Sequence, residues 1–428
     1  MSFSFLKKYT LEEICTKITD GSHKSPKSEI EGYPMASVKD MNYSGINLKS
    51  CRKISKEDYL DLVNSDCRPL KNDILIAKDG SYLKYVVVTK EEKELVLLSS
   101  IAILRPNINK IFPSYLKYYL LNPSITKSLE QGYVSGSVIR RIVLKDFKKF
   151  PVNIHKIDEQ KSIANILSTL DEKIEINNKI NKNLEEMAQA IFKHWFVDFE
   201  FPNEEGQPYK SSGGKLVDSE LGIIPEGWEI KKIGDVLDTV LGGTPSRRKD
   251  EYWKNGNIPW INSGKTNEFR VIKPSEYITE IGLKKSSTKL LPKRSTLIAI
   301  TGATLGQISL LEIDCCANQS VVAIKENDVL KAEYIYPWIN FKIQEIINLQ
   351  TGGAQQHINK NNINNSNILL PKKNILKDYY QNVSSLYNII TKNIKIINIL
   401  SSLRDTLLPK LMSGEIRVPI AEEKIAQA

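Results

Sequence analysis

No long apolar run exists in this chain of 428 residues. The opening MSFSFLKKYTLEE puts Lys7, Lys8, Glu12 and Glu13 where a secretory segment needs about seven or more apolar residues, and no later stretch reaches the roughly eighteen that span a bilayer. A protein that is neither secreted through a signal peptide nor membrane-spanning is expected. Cysteine is scarce as well. Cys15, Cys51, Cys67, Cys315 and Cys316 form no C-x-x-C pair, and the adjacent Cys315 and Cys316 are badly placed to bridge each other or to share a zinc ion. An odd, scattered set reads as reduced thiols in a cytoplasm.

The short motifs of catalysis are missing too. The nearest approach to a phosphate-cradling loop, GATLGQ at 302–307, has Gln307 where the required Lys would stand, and reads as a strand-connecting turn. There is no G-x-G-x-x-G, H-E-x-x-H or G-x-S-x-G, and the four histidines, His23, His155, His194 and His357, show no metal-ligand spacing. Glu91-Glu92-Lys93 together with Asp73 has the residue types of Mg²⁺-assisted phosphodiester cleavage, but reads better as a solvated hairpin turn. Asn122-Pro123-Ser124 lacks the second proline and the aromatic residue of a loop that holds a flipped base, so its proline is expected to bend a helical stretch over 113–131. Neither a metal site nor a catalytic group is expected.

What is present is an average globular composition, 41% hydrophobic and 26% charged, at a length that calls for two or three domains. Sixty basic residues against fifty acidic ones give a formal charge of +10, which favours a polyanionic partner without demanding one.

The strongest signal is duplication. LIAKDGSY at 75–82 returns as LIAITGAT at 297–304, with Leu-Ile-Ala and the glycine in register at an offset of 222. Pro34 and Pro259, Asn42 and Asn267, Tyr115 and Tyr334, Gly132 and Gly352, and Pro151 and Pro371 keep offsets between 219 and 225. A period this long makes each copy a whole domain rather than a stacking unit. Each copy starts with β-rich segments, DILIAKDG, KYVVVTK and SSIAILRP in the first, STLIAITG and SVVAIK in the second, and continues into a helical stretch at 113–131 or 332–349.

A different rhythm follows each copy. From Asp158 to Trp195, Ile163, Leu167, Leu170, Ile174, Leu184, Ala188, Ile191 and Trp195 recur at a 4-3 spacing without Pro or Gly, broken by Asn177 and Asn181. From Asp378 to Leu411, Leu386, Ile390, Ile397, Leu400, Leu407 and Leu411 repeat it, with Asn393 as the polar break. Two such stripes most simply cover each other. The blocks are then a domain at 1–157, a helix at 158–201, a Gly/Ser/Pro-rich linker at 202–224, a second domain at 225–371, a second helix at 372–412 and a tail at 413–428.

In FKHWFVDFEFP at 192–202, IPEGWEIKKIGDV at 224–236 and LLPKLMSGEIRV at 407–418, and in its layout as a whole, the chain resembles the DNA-specificity subunit of type I restriction-modification systems. The resemblance implies an α+β fold: two similar globular target-recognition domains joined by two long antiparallel coiled-coil helices, with an internal pseudo-two-fold repeat. It implies a subunit of a host-defence complex that is not itself an enzyme, partnered by double-stranded DNA, two methyltransferase subunits and motor-nuclease subunits. S-adenosylmethionine, ATP and Mg²⁺ would belong to those partners. Two non-identical readers on a rigid spacer should bind a bipartite, asymmetric sequence with an unread gap. A helix over 158–197 would span about 60 Å, and four inserted residues would lengthen it by roughly 6 Å, about two base pairs.

Reading bases takes donors and acceptors on loops, Arg and Lys for guanine or phosphate and Asn and Gln for adenine. In the first domain such loops are 37–42, 78–84 and 132–141, with Lys39, Asn42, Lys78, Tyr82, Lys84, Ser137, Arg140 and Arg141 as the candidates. In the second they are 242–249, 260–267, 301–307 and 352–362, with Arg247, Arg248, Asn262, Lys265, Thr304, Gln307, Gln355, Gln356, His357 and Lys360. Gly80, Gly132, Gly302 and Gly352 read as shaping backbone rather than contacting bases. Trp195, Phe196 and Phe199 form either an exposed patch for the methyltransferase or an internal cap on the helix pair. A coiled-coil adaptor that touches no DNA is the competing reading, and a nuclease fused to its own reader a third.

Overall fold

The computed structural model describes residues 6–80, 83–136, 140–348 and 357–418. It divides into two compact units, Met1–Glu175 with Asn398–Ala428, and Ile176–Ile397. Both unit boundaries fall inside long helices, Ile157–Phe196 and Lys373–Ser413, so each unit consists of one copy of the repeat and a stretch of both helices.

In the first unit the central antiparallel sheet has the order Cys15–Asp20, Ile101–Pro106, Ile74–Ala77, Val86–Val88. The four residues of Ile-Leu-Ile-Ala at 74–77 are all buried because both faces of the strand are covered. Side chains alternate across a strand, so Ile74 and Ile76 enter a core with Leu11, Ile14, Tyr115 and Phe147, while Leu75 and Ala77 enter another with Met41, Cys51 and Leu97. The expected bend over 113–131 is a full break. Helix Pro113–Leu121 stops, Asn122 turns to an extended conformation, and helix Pro123–Glu130 starts with the Asn122 side chain accepting from the Ser124 amide at 3.2 Å. A residue before proline resists the helical conformation, whereas proline suits the first helical position, so the same Pro ends one helix and begins the next.

The second unit repeats this plan. Its sheet runs Thr239–Leu241, Val321–Ile324, Thr296–Ala299, Ile308–Leu311, and then adds a fifth strand, Arg270–Val271, in parallel. Registers repeat as well: Ala77 pairs with Ile101 and Ala299 with Val321, while Met35 lies parallel to Val96 and Trp260 to Cys316. The duplication seen in the sequence is thus a duplication of hydrogen-bonded register.

Segment 202–224, expected as a linker, is folded. Pro202 bridges Pro208, Tyr209 stacks on Phe201 at 4.6 Å, and Leu216–Ser219 forms a hairpin with Gly222–Pro225. Its polar composition hid the aromatic cluster of Phe201, Tyr209 and Trp228 that repays its ordering. Trp195 and Phe196 are buried against Tyr379, and Phe199 packs on Trp228, so of the two readings of these aromatics the structure has the internal cap.

The helices pair antiparallel within each unit. In the second, Asn181, Ala188 and Trp195 meet Asn393, Tyr387 and Tyr379 in reverse order. In the first, Ile163, Ala164 and Leu167 pack with Leu408, Leu411 and Met412, and the Arg404 guanidinium donates to Asp171 at 2.9 Å. The two polar breaks satisfy each other, with Asn393 Nδ2 donating to Asn181 Oδ1 at 2.9 Å. Asn181→Leu alone leaves the Asn393 amide unpaired and is expected to cost about 1–3 kcal/mol, whereas Asn181→Leu with Asn393→Leu recovers the parent's stability or exceeds it. Denaturant titration of the full chain checks this: a double variant no more stable than the single one contradicts it.

All five cysteines are free and buried. Burial, with the Asp73 carboxylate nearby, pushes the Cys15 thiol up to about 12. Among the described residues no helix is long and apolar enough to cross a membrane.

Candidate nucleic-acid interface

Each candidate site begins where the chain crosses its own sheet. In the first unit the Gly21 amide donates to Ile101 O at 3.1 Å and the Ser22 amide to Leu97 O at 2.7 Å. In the second, the Gly242 amide donates to Val321 O at 2.9 Å and the Gly243 amide to Ala317 O at 2.8 Å. A Cβ on Gly21 would lie 2.2 Å from Leu97 O, and one on Gly242 2.1 Å from Asn318 O. Only glycine lets the backbones approach this closely, and the crossing launches one loop of each site.

In the first unit three loops far apart in sequence converge. The Val38 amide donates to Ser100 Oγ at 3.2 Å and the Lys78 amide to Ser100 O at 2.9 Å. The Gly80 amide donates to Arg140 O at 2.8 Å and the Ile142 amide to Lys78 O at 3.0 Å. These bonds tie 37–42, 78–80 and 140–142 into one platform. Lys39, Asn42, Lys84, Arg140 and Arg141 are exposed on it. Asn42 Oδ1 accepts from the Ser44 amide at 2.8 Å, and Lys84 Nζ lies 5.2 Å from the Tyr85 ring centre. Lys39, Lys84, Arg140 and Arg141 carry no ion pair among the described residues. Lys78 departs from expectation: it is 8% exposed and its Nζ donates to Asp20, so it belongs to the platform's foundation. Tyr82 and Ser137 lie outside the described residues.

In the second unit the turn Ser263–Asn267 packs on the turn Gly302–Thr304, Thr301 bridges His357, and the Ile358 amide donates to Ile300 O at 3.0 Å. Asn262 is exposed and accepts from the Gly264 amide at 2.9 Å; Lys265 donates to Glu268 at 2.6 Å. Thr304 donates to Thr301 O at 3.3 Å, and Gln307 Oε1 is shielded from solvent without a hydrogen-bond partner among the described residues. His357 is exposed and Lys360 half-buried at the start of a short helix. Gln355 and Gln356 lie outside the described residues.

The Arg247-Arg248 pair is split in role. Arg247 forks onto Glu276 at 2.5 and 2.7 Å and lies 3.6 Å from the Trp253 ring centre. Its hydrogen bond holds the Glu276 carboxyl below the usual carboxylate range. Two of its five N–H donors are thereby committed to Glu276, while Arg248 is exposed without an ion pair among the described residues. The nuclease-like residues are held in ion pairs: Asp73 is buried with Arg105 donating to it at 3.0 and 2.9 Å, and Glu91 pairs with Lys93 at 3.0 Å.

Two parts of the platforms were not among the sequence candidates. The loop after Ser22, with exposed His23, Lys24 and Lys27, stands where 244–248 stands in the other unit. Gln319 is exposed, its Oε1 held by Thr244 Oγ1 at 2.5 Å. The repeat offset, extended back to Gly21 and Gly242, would have found the first; no short motif marks the second.

Known proteins bear on these platforms. The type I restriction modification DNA specificity domain matches residues 6–186 and again residues 225–401. The MjaIX type I restriction enzyme specificity subunit of Methanocaldococcus jannaschii is 30% identical over 304 residues, 70% of this chain and 68% of that protein. The HindI specificity subunit of Haemophilus influenzae is 25% identical over 412 residues, 83% of this chain and 86% of that protein. In fold, the chain is similar to the crystal structure of the type I restriction-modification S subunit from M. genitalium, with a TM-score of 0.59 at 17% identity over 96% of this chain and 97% of that one. The same head built twice in one register, matched by the same domain over each copy, makes this chain a member of the type I restriction-modification DNA-specificity family.

Proposed function

We propose that this chain reads a bipartite, asymmetric DNA sequence, one half-site per unit, and directs methyltransferase and motor-nuclease subunits to it without catalysing a reaction itself. The observation that carries the reading is that one loop platform is built twice on the same register with different side chains: Lys39, Lys84, Arg140 and Arg141 on one, Arg248, Asn262 and Gln319 on the other. Equal scaffolds with unequal readers suit two half-sites of different sequence. Recruitment is supported by apolar side chains that the helix seam leaves in solvent: Ile176, Ile180 and Met187 on one face of the first helix, Ile389 and Ile396 on the second. S-adenosylmethionine, ATP and Mg²⁺ belong to the partner subunits in this reading.

Coexpression with the methyltransferase subunit of its own system, followed by mapping of methylated bases across the host genome, is expected to return a gapped, two-part motif. A stable complex that methylates nothing, or a motif without a gap, contradicts the proposal. Arg140→Ala is expected to cost about 1–3 kcal/mol of specific binding and to relax one position in a single half-site. Unchanged affinity and an unchanged motif would remove Arg140 from the reading set.

A further inference from the structure

The two sheets differ in one strand. Along Ile308–Leu311 the second unit carries Arg270–Val271 in parallel, Arg270 opposite Leu310, with the Glu312 amide donating to Val271 O at 2.9 Å. The first unit's counterpart strand, Val86–Val88, is a sheet edge. The Ala77 amide donates to Tyr85 O at 3.0 Å and the Thr89 amide to Asp73 O at 2.8 Å, so Val86 and Val88 turn their N–H and C=O groups outward. The segment that would cover this edge is present. The repeat offset aligns Gly45-Ile46 with Arg270-Val271, yet here these residues fold back as a hairpin, Met41 pairing with Ile46 and Asn42 with Gly45.

Between hairpin and edge lies a slot of about 230 Å³, lined by Gly45 and Ile46 on one side and Val87, Val88 and Thr89 on the other, over Leu75 and Leu95. Thr89 Oγ1 is shielded there without a hydrogen-bond partner among the described residues. The hairpin is held at its base, where Met41 is buried in the core with Leu75 and Ala77 and Ile46 packs against that core, and is open at its tip. Gly45 has φ +145°, a Cβ added to it would meet nothing within 4 Å, and Tyr43 at the tip is 73% exposed against the edge of Tyr85.

We propose that the 41–46 hairpin is a two-position strap, which closes by laying Gly45-Ile46 along Val88-Thr89 in parallel, as Arg270-Val271 lies along Leu310-Leu311, and that DNA bound at Lys39 and Asn42 favours the closed position. The exchange gives up two residue pairings in the hairpin and gains two at the edge, and a ligand that contacts the two positions differently shifts the balance between them. The second unit's strand is anchored by buried Arg270, whereas its counterpart here is Gly45, followed by Ile46, and the slot they would close is mixed in character, with Asn42, Thr89, Lys90 and Glu91 beside the apolar side chains. The DNA half of the proposal rests on the function proposed above; the strap does not.

Closed, Ile46 and Thr89 become parallel neighbours within disulfide reach. In the full chain with Ile46→Cys and Thr89→Cys, mild oxidation is expected to form the cross-link slowly in the free protein and at least ten times faster with a duplex carrying the mapped motif, a scrambled duplex giving no acceleration. The native cysteines are all buried and make a quiet background. In the unsubstituted chain, hydrogen exchange at the Val88 amide should slow on the same addition. No cross-link under either condition overturns the strap. A cross-link in the free chain with a rate and a Val88 exchange indifferent to bound DNA overturns the coupling. A cross-link that forms while no duplex binds keeps the strap and overturns the proposed function.

Discussion

Replacing Arg270 with Ala is expected to destabilise the second unit by about 3–5 kcal/mol, enough to consume much of an ordinary domain's stability. The Arg270 side chain is 1% exposed. Its Nη2 donates to Glu185 on the first long helix at 3.1 Å, and Nε lies 3.9 Å from Glu312. The Tyr336 and Tyr387 rings flank the guanidinium at 4.7 and 5.3 Å. Glu312 in turn accepts from Thr391 on the second long helix at 2.8 Å. One cation therefore ties the fifth strand of the head to both helices of its unit. Removing it leaves the buried Glu185 carboxylate and the largely shielded Glu312 carboxylate without their cation, holding only the neutral donors Gln189 and Thr391, which costs far more than the pair's net contribution. Arg270→Met with Glu185→Gln should recover much of the loss, because it removes charge from both sides. Arg247→Ala makes the contrast: its bond to Glu276 is about half-exposed, and its loss is expected to cost roughly 0–1 kcal/mol. Denaturant unfolding of the full chain, followed by tryptophan fluorescence, measures both. Equal effects for Arg270 and Arg247 would show that burial is not what sets the cost.

That contrast marks how far local pattern reaches. The helix seam was legible because Ile163, Leu167, Ala188 and Trp195 repeat at a period that only a packed helix pair uses, and Asn181 and Asn393 interrupt it where a polar pair sits. The two heads were legible because a buried strand such as Leu-Ile-Ala carries its neighbours' register in its own apolar run. The burial of Lys78 is not legible in the sequence because its partner Asp20 lies 58 residues away, and nothing in KDGSYLK says that the lysine turns inward. The role of Arg270 is illegible for the same reason, since it comes from Glu185 and Tyr387. The loop candidates sit between these cases. Pattern located the segments, because turn residues bound the strands, but the split between Arg247 and Arg248 depends on Glu276 and Trp253, which only the folded chain brings near.

On the proposed bipartite reading, a four-residue insertion in both long helices is expected to lengthen the gap between the half-sites by about two base pairs and to leave both half-sites unchanged. The stretch to open lies between the Asp171–Arg404 and Asn181–Asn393 pairs, which keeps both pairings intact. Opening one helix alone would set every residue beyond the insertion against the wrong partner, so a paired insertion is required. Four residues add about 6 Å of helix, close to two base pairs at about 3.4 Å each. They also turn the helix by about 40° beyond a full revolution, in the right-handed sense in which two base pairs turn the duplex by about 70°. Seven residues match worse, because about 10 Å of added length comes with a turn of about −20° while three base pairs need about 105°. The four-residue variant should therefore methylate its lengthened motif more completely than a seven-residue variant methylates any. Mapping methylated bases for both variants decides the matter. An unchanged gap with altered half-sites would mean that the helices do not measure the distance, and that spacing is held by the partner subunits.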